Sequence, residues 1–356
     1  MPKTSPCLKV PKKEGEKAIT SANKLKIVNR ELKIQRDDTH IYVPLTGFPS
    51  PEEFEKLKKQ ISNLELSERI FPEREKRIKT FLELLEDSLP PHLLASLPRA
   101  IDFIGDIAII EIPQELEAYK INIGNAILQV HKNVRTVLAK AGAVAGIYRL
   151  RKFEVIAGEH KTETVHREYG CRYSVDVAKV YFSPRLSCEH NRVSSLVEDG
   201  ETVIDMFAGV GPFSILIAKT HKNVKVYAID INPDAVALLK RNVRLNRVEG
   251  KVHPISGDAK QIVKQMLKGA ADRVIMNLPE RAIEFVDAAC EALKPEGGTI
   301  HFYSFVTASD SLENLKLRFK GEVEKFGREV EKILFSRFVR ETAPYEWQAV
   351  LDAKIC

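Results

Sequence analysis

The stretch VIDMFAGVGPFS, residues 203–214, carries the reading of the fold. An apolar strand ends at Asp205, Gly209 and Gly211 make a tight turn, and Pro212 opens a helix. Proline suits a first helical turn because the N–H it lacks has no partner there. Glycines let a backbone pass close to a ligand. The dinucleotide fingerprint asks for a third small residue, and Ser214 stands in its place. A close-packed strand–helix junction uses the same residues, so the weight of this turn depends on what surrounds it.

From about Ser194 onward, strand and helix patterns alternate. The strands are ETVIDMFA, VKVYAID, GKVHPIS, DRVIMN and GTIHFYS, followed by a closing pair, VEKILFSRFV and WQAVLDAKI. Helical segments such as PFSILIAKTH and PDAVALLKRNVRLN separate them. This alternation predicts a mostly parallel sheet with helices on both faces. The second strand ends at Asp230, nineteen residues past Gly211. That is near the spacing at which a carboxylate meets a ribose diol. A helix cap is the plainer role, but Asn232 or Asp234 fills it better. The third strand ends in ISGDA, where Asp258 is placed to accept from an adenine amino group. The fourth ends in RVIMNLP, residues 273–279. Alone, Asn277 and Pro279 would read as a turn. Carboxylates at three successive strand ends point to a nucleoside. Nicotinamide and S-adenosylmethionine cofactors both use such an architecture. The D-x-F-x-G-x-G form at Asp205–Gly211 and the closing strand pair favour the latter.

The chain's 356 residues suggest two or three domains, and 44% hydrophobic with 29% charged residues fits a globular protein. No apolar run approaches the ~20 residues that span a bilayer, and the first residues lack a signal-peptide core. A cytosolic location is expected. Five cysteines lie far apart and nine histidines show no ligand spacing, so no metal site is expected. The net charge of +6 is local: residues 1–36 hold ten Lys/Arg against three Asp/Glu. Such a segment suits contact with phosphates, or serves as a solubilising arm.

Residues 1–62 read as a small basic domain of strand, helix, strand, strand. EEFEKLKKQISNLELSER and REKRIKTFLELLEDSL follow with helical spacing. A middle region opens with two strands joined at Ile104-Gly105-Asp106. A long helical pattern then runs from Gln114 to about Ala141. AGIYRLRKFEVIAG, TETVHREYG and CRYSVDVAKVYFSP read as successive strands, with a hairpin turn in REYGCRY. The expected domains are 1–62, a small basic module; 63–188, linker helices and a middle domain; and 189–356, the alternating region.

YFSPRL, DMFAGVGPFSI, YAIDINP, RVIMNLP and APYEW together resemble the archaeal and eukaryotic tRNA (guanine-N1-)-methyltransferases that act at position 37. The resemblance covers nearly the whole chain and is strongest from Tyr148 onward. It implies an α/β class I (Rossmann-like) S-adenosylmethionine-dependent methyltransferase domain. With it come an α+β middle domain and a small basic N-terminal α+β domain that touches the outer corner of tRNA. The anticodon loop is the other expected contact, no membrane is involved, and a monomer is expected. The family's motifs carry over to Glu189 as the base, Arg149 in YRLRK as the partner of guanine O6, and Asn277 on the guanine edge. Tyr181 stacks on or hydrogen-bonds to the nucleotide, and Pro279 fixes the loop. Asp205, Phe207, Gly209, Gly211, Asp230, Ile231, Asp258, Asn277 and Pro279 are expected around S-adenosyl-L-methionine. Burial is expected to raise the pKa of Glu189. The chain departs from the family at LSCEHNR, where smaller, glycine-like residues would precede the glutamate.

Without the resemblance, Glu189 reads as an ordinary first-turn carboxylate, Arg149 as a solvated strand charge, and Tyr181 as a core aromatic. Arg185 reads as a phosphate contact or a structural pair. Rival functions are a wyosine-pathway relative that transfers methyl or aminocarboxypropyl at the same position, a non-catalytic RNA-binding relic, and a nicotinamide dehydrogenase.

Overall fold

The computed structural model describes residues 2–74, 80–86, 88–142 and 146–356. The chain divides into two compact units, Met1–Lys79 and Thr80–Cys356. The first unit contains β1 (Lys3–Pro11), α1 (Gly15–Lys24), β2 (Gln35–Arg36), β3 (His40–Pro44), α2 (Pro51–Lys58) and β4 (Glu65–Phe71). Its sheet runs β2-β3-β1-β4. Leu8, Val10, Val43 and Leu45 bury one face against Ala18 and Ala22 of α1. Ser50 and Glu53 close a capping box at the start of α2. The expected strand–helix–strand–strand order is present. The end of the first helical segment, ELSER, is instead the start of β4, paired with β1 from Lys3↔Phe71 to Lys9↔Glu65. A ladder of backbone hydrogen bonds overrides local helical spacing here. The expected boundary at 62 therefore falls inside this unit.

The second unit opens with α3 (Phe81–Leu85), α4 (Pro91–Leu94), β5 (Ile101–Ile104), β6 (Ile107–Ile110), α5 (Lys120–Val130), β7 (Thr136–Lys140) and β8 (Phe153–Gly158). These strands form a sheet in the order β5-β6-β7-β8, with β5 and β6 joined at the predicted turn. Of REKRIKTFLELLEDSL, residues 75–79 and 87 lie outside the described residues. The long helix expected over Gln114 to Ala141 is shorter. A 3-10 turn at Gln114–Tyr119 leads into α5, and the β-branched run beginning at Thr136 leaves to pair with β6. The strand read from residue 145 begins only at Phe153. Gly146–Arg149 form a turn in which Arg149 has φ +56°, and residue 145 lies outside the described residues.

β9 (Glu163–Glu168) and β10 (Cys171–Asp176) make the predicted hairpin, turning at Tyr169 and Gly170, both with positive φ. Then come α6 (Ser187–Ser194), β11 (Thr202–Asp205), α7 (Pro212–Thr220), β12 (Lys225–Asp230), α8 (Pro233–Asn246), β13 (Val252–Ser256), α9 (Ala259–Ile262) and β14 (Arg273–Met276). α10 (Val286–Ala292), β15 (Gly298–Thr307), α11 (Leu312–Lys325), β16 (Val330–Ala343) and β17 (Glu346–Ile355) complete the unit. The expected division at 188/189 falls inside α6.

The outer edge of β10 is satisfied by side chains in place of a further strand. Asn242 on α8 accepts from the Ser174 N–H at 2.7 Å and donates to the Ser174 carbonyl at 3.1 Å. One turn on, Asn246 does the same for Arg172, at 2.8 and 2.7 Å. A primary amide carries the donor and the acceptor of a peptide group, so two of them at i, i+4 imitate a β-ladder.

The large sheet is ordered β13-β12-β11-β14-β15-β17-β16, parallel through β15 and antiparallel at β17 and β16. Two apolar clusters cover its faces. One holds Val203, Ile215 and Leu239; the other holds Ile204, Val274 and Phe302. Chain order reverses direction at β11, between β12 and β14. Ligands of open α/β sheets bind beyond the carboxyl ends of the strands at such a point.

Candidate active site

A cavity opens at that point. Arg149, Tyr181, Phe207, Gly209, Asp230, Ile231, Asp258, Asn277 and Pro279 all line it, so the structure brings most of the expected residues together. The turn after β11 supplies its floor. Gly209 has φ +56°, and its N–H donates to Asp230 Oδ2 at 2.7 Å. Asp230 Oδ1 accepts from the Asn232 N–H at 2.8 Å, and Asn232 itself caps α8 through the Asp234 N–H. Burial raises the Asp230 pKa, against the two backbone bonds that lower it. Both oxygens are therefore fixed in place at the cavity wall, each with a lone pair left for a diol.

Asp205 and Gly211, expected at the cofactor, do not line the cavity. Asp205 is fully buried; its Oδ2 accepts from Ser214 Oγ at 2.7 Å and so ties the strand end to the first turn of α7. Burial pushes its carboxyl up to about 7. Gly211 has φ +91°, and a Cβ there would sit 2.3 Å from Leu239 Cδ1. Its glycine lets the start of α7 pack closely against α8. Asp258 lines the cavity and also caps α9, accepting from the Gln261 N–H at 3.1 Å. Phe207 meets Phe285 edge to face, with centroids 5.0 Å apart, and these rings with Ile231 and Ala259 form an apolar slot beside Asp258. A planar purine fits between such surfaces.

Across the cavity, Asn277 follows β14, and the Pro279 carbonyl accepts from the Phe305 N–H at 3.2 Å, which pins the loop to β15. Arg149 sits over the Tyr181 ring at 5.3 Å and donates to Glu280 at 3.1 Å. Its Nε is buried with no partner among the described residues. Arg185 forms a fork with Asp102 at 2.5 and 3.0 Å, the structural pair its alternative reading allowed.

Glu189 departs from expectation. Its side chain is 1% exposed, and it does not line the cavity, although Leu186 and His190 on either side do. Arg192 grips its Oε2 at 2.9 Å, Tyr303 donates to the same oxygen at 2.8 Å, and Arg337 holds Oε1. Burial pushes its pKa up, but the bonds from Arg192, Arg337 and Tyr303 outweigh that and hold it below the ordinary value. The expected upward shift is thus reversed. Arg192 continues to Asp352, whose Oδ1 accepts from His301 Nδ1 at 2.7 Å. Arg273 donates to His301 Nε2 at 2.8 Å, which fixes the tautomer because guanidinium cannot accept.

Sequence reasoning missed Arg340 and Gln348, which line the cavity from β16 and β17, and Arg337 and Arg192 around Glu189. A signal existed. Gln348 and Asp352 share one face of the strand WQAVLDAKI, and polar residues at like-facing positions of an apolar strand need buried partners. Among the described residues, no group of three or more His, Cys, Asp or Glu side chains is placed to hold a metal ion, and no helix is long and apolar enough to cross a membrane.

Residues 164–334 match the TRM5/TYW2 methyltransferase domain, 81–162 the TYW2 N-terminal domain, and 7–54 the tRNA methyltransferase 5 N-terminal domain. The chain is 41% identical to the tRNA (guanine(37)-N(1))-methyltransferase Trm5b of Pyrococcus abyssi, covering 98% of both chains. It is 34% identical to the tRNA 4-demethylwyosine(37)-methyltransferase Taw21 of Saccharolobus solfataricus, over 78% of this chain and 99% of that one. Its fold matches the complex of aTrm5 and tRNALeu with a TM-score of 0.77 at 35% identity, over 98% and 99% of the two chains. Against Methanocaldococcus jannaschii Trm5 in complex with adenosine the TM-score is 0.64 at 33% identity, over 98% and 99%.

Proposed function

The chain belongs to the TRM5/TYW2 methyltransferase family, and from that membership we propose how its side chains divide the work. The enzyme transfers the methyl group of S-adenosyl-L-methionine to N1 of guanosine 37 in tRNA. One observation carries the assignment of its site. Asp230 and Asn277, at the tips of β12 and β14, line one cavity on either side of the β11 turn.

S-adenosyl-L-methionine supplies a methyl group already activated on a sulfonium. Asp230 accepts from the ribose hydroxyls, a carboxylate that also disfavours a phosphorylated ribose. Asp258 would face the adenine, with Phe207, Ile231 and Phe285 lining the place for its ring. The guanine enters from the opposite side, unstacked from the anticodon loop, since a base within a stack cannot reach such a pocket. Tyr181 offers a ring face to the nucleotide. Arg149, with its Nε unpartnered, is directed at O6, where negative charge builds as N1 loses its proton. Held beside Asp230 and Asp258, the cofactor would supply that methyl group to N1, and the N1 proton needs an acceptor.

Glu189 takes that proton once Arg337 has withdrawn. Arg337 is 44% exposed, whereas Arg192 is 18% exposed and Tyr303 is buried. Losing the Arg337 cation leaves Oε1 with only the long bond from Arg192 Nε, at 3.3 Å, and raises the carboxyl's proton affinity. The basic first unit grips the outer corner of the tRNA and measures its distance from the pocket.

The test uses unmodified tRNA, cofactor and mass spectrometry of the nucleosides, under single turnover across pH. Glu189→Gln is expected to lose about 100-fold or more in rate, the size of a general base. Arg337→Ala is expected to move the acid limb of the profile to higher pH. A Glu189→Gln enzyme within a few-fold of wild type rules out the assignment. Parallel assays on tRNA carrying 4-demethylwyosine measure the neighbouring activity.

A further inference from the structure

The hydrogen bonds that reach Asn277 have a direction. Arg340 donates its Nε to Gln348 Oε1 at 3.0 Å, its Nη1 to Ser183 Oγ at 2.7 Å, and its Nη2 to the Tyr181 hydroxyl at 2.9 Å. A guanidinium has only donors, so the atom of Gln348 that meets it must be the carbonyl oxygen. Gln348 is 1% exposed and has no room to compromise. Its amino group is turned the other way, where Nε2 donates to Asn277 Oδ1 at 3.0 Å. The Asn277 carbonyl is thereby engaged by the protein. Its amino group has no partner among the described residues, and the residue lines the cavity.

We propose that Arg340 and Gln348 are positioning residues that set the polarity of Asn277, so that it meets the substrate as a donor. This rests on the reaction proposed above and narrows it. An asparagine free to rotate offers guanine either a carbonyl or an amino group, and its two orientations differ little in energy on their own. One pinned by this relay offers N–H only. On the Watson–Crick edge of guanine the acceptor is O6, at one end, and the N1 and N2 donors follow it in order. A donor held against O6 gains strength as charge develops there, which favours the transition state over the bound ground state. The same donor opposes adenine, whose position 6 carries an amino group. The relay thus adds discrimination at the residue farthest from the arginine that begins it.

Two substitutions at one position separate this from packing. In Gln348→Glu, size and the Arg340 contact are kept, but the carboxylate can only accept. It draws the Asn277 amino group towards itself and turns the carbonyl to the cavity. In Gln348→Leu, the Arg340 contact is lost and Asn277 is left free to rotate. Polarity control predicts that Gln348→Glu is the worse: kcat on tRNA with G37 falls about 100-fold, the scale of losing an oxyanion donor. Gln348→Leu falls about tenfold, the scale of one hydrogen bond no longer enforced. In both, the KM for tRNA and the affinity for S-adenosyl-L-methionine stay within about threefold, as for an interaction made in the transition state. A structural role for Gln348 predicts the opposite order. Asn277→Asp provides a second arm, because aspartate still accepts from Gln348 but has no hydrogen to give; it is expected to be as slow as Gln348→Glu. The proposal is overturned if Gln348→Leu equals or exceeds Gln348→Glu in damage, if both keep kcat within twofold, or if Asn277→Asp retains wild-type kcat. Wild-type enzyme in the same assay reports on the reaction itself: no 1-methylguanosine from it would refute the parent reading, whatever the variants do.

Discussion

Asp205 and Asp352 are both buried carboxylates, and they answer pH in opposite directions. Asp352 is pushed up by burial, but its bonds from His301 and Arg192 hold it down to about 2. Its contribution to stability is present above the ordinary aspartate value and lost as pH falls through 2. Asp205 receives no cation, and burial raises it to about 7. The folded state then binds a proton that the unfolded state has released. Its contribution is full below the ordinary aspartate value of about 4 and lost as pH rises through 7. Asp205→Asn is therefore expected to gain stability over wild type between pH 5 and pH 8. The gain is up to about 4 kcal/mol, from a shift of roughly three pH units. Urea unfolding of both proteins at each pH measures it, and a difference that does not change with pH excludes this account. Much at this scale was legible. Asp230, Gly209 and Asn277 lie where strand ends and spacing put them. The state of Glu189 was not legible, because Tyr303 and Arg337 come from 114 and 148 residues away in the chain. Such pairings exist only once the sheet has formed.

Among the elements, the alternating strands and helices after Ser194 were readable because each has one clear periodicity. The failures share a cause. β4 and β7 lie in segments whose local spacing suits a helix, and both are strands because a partner strand waits for them. The Asn242–Asn246 ladder shows the same dependence on context, since two asparagines in a helix give no hint of the strand edge they complete. Asn242→Ala removes the partner of a buried backbone N–H and of two carbonyls, those of Ser174 and Val210. Leaving such groups unmet costs ~1–3 kcal/mol each before relaxation. The unfolding free energy is expected to fall by about 2–4 kcal/mol, within the range of severe single substitutions. A fall below 0.5 kcal/mol, the scale of a neutral surface change, would show that other groups take over the edge.

For the whole molecule, the division at Lys79 changes how the first unit is removed. A cut at residue 62 leaves Glu65–Phe71 without β1, an open edge strand of the kind that drives aggregation. A cut at 79 leaves no such remnant. The chain beginning at Thr80 is expected to stay soluble, bind S-adenosyl-L-methionine and methylate tRNA, with poorer discrimination between full-length tRNA and an isolated anticodon stem-loop. The chain beginning at residue 63 is expected to aggregate. Competition assays on the two RNAs and light scattering on the two proteins decide this. Undiminished discrimination removes the ruler role from the first unit.

The placement of β17 carries a consequence for synthesis. It lies between β15 and β16, both made before it, and it carries Gln348, which reaches back 71 residues to Asn277. While the chain is still emerging from the ribosome, the pocket has its nucleoside half and lacks the relay. The relay, and with it the full rate of methyl transfer, is therefore complete only once β17 has been made.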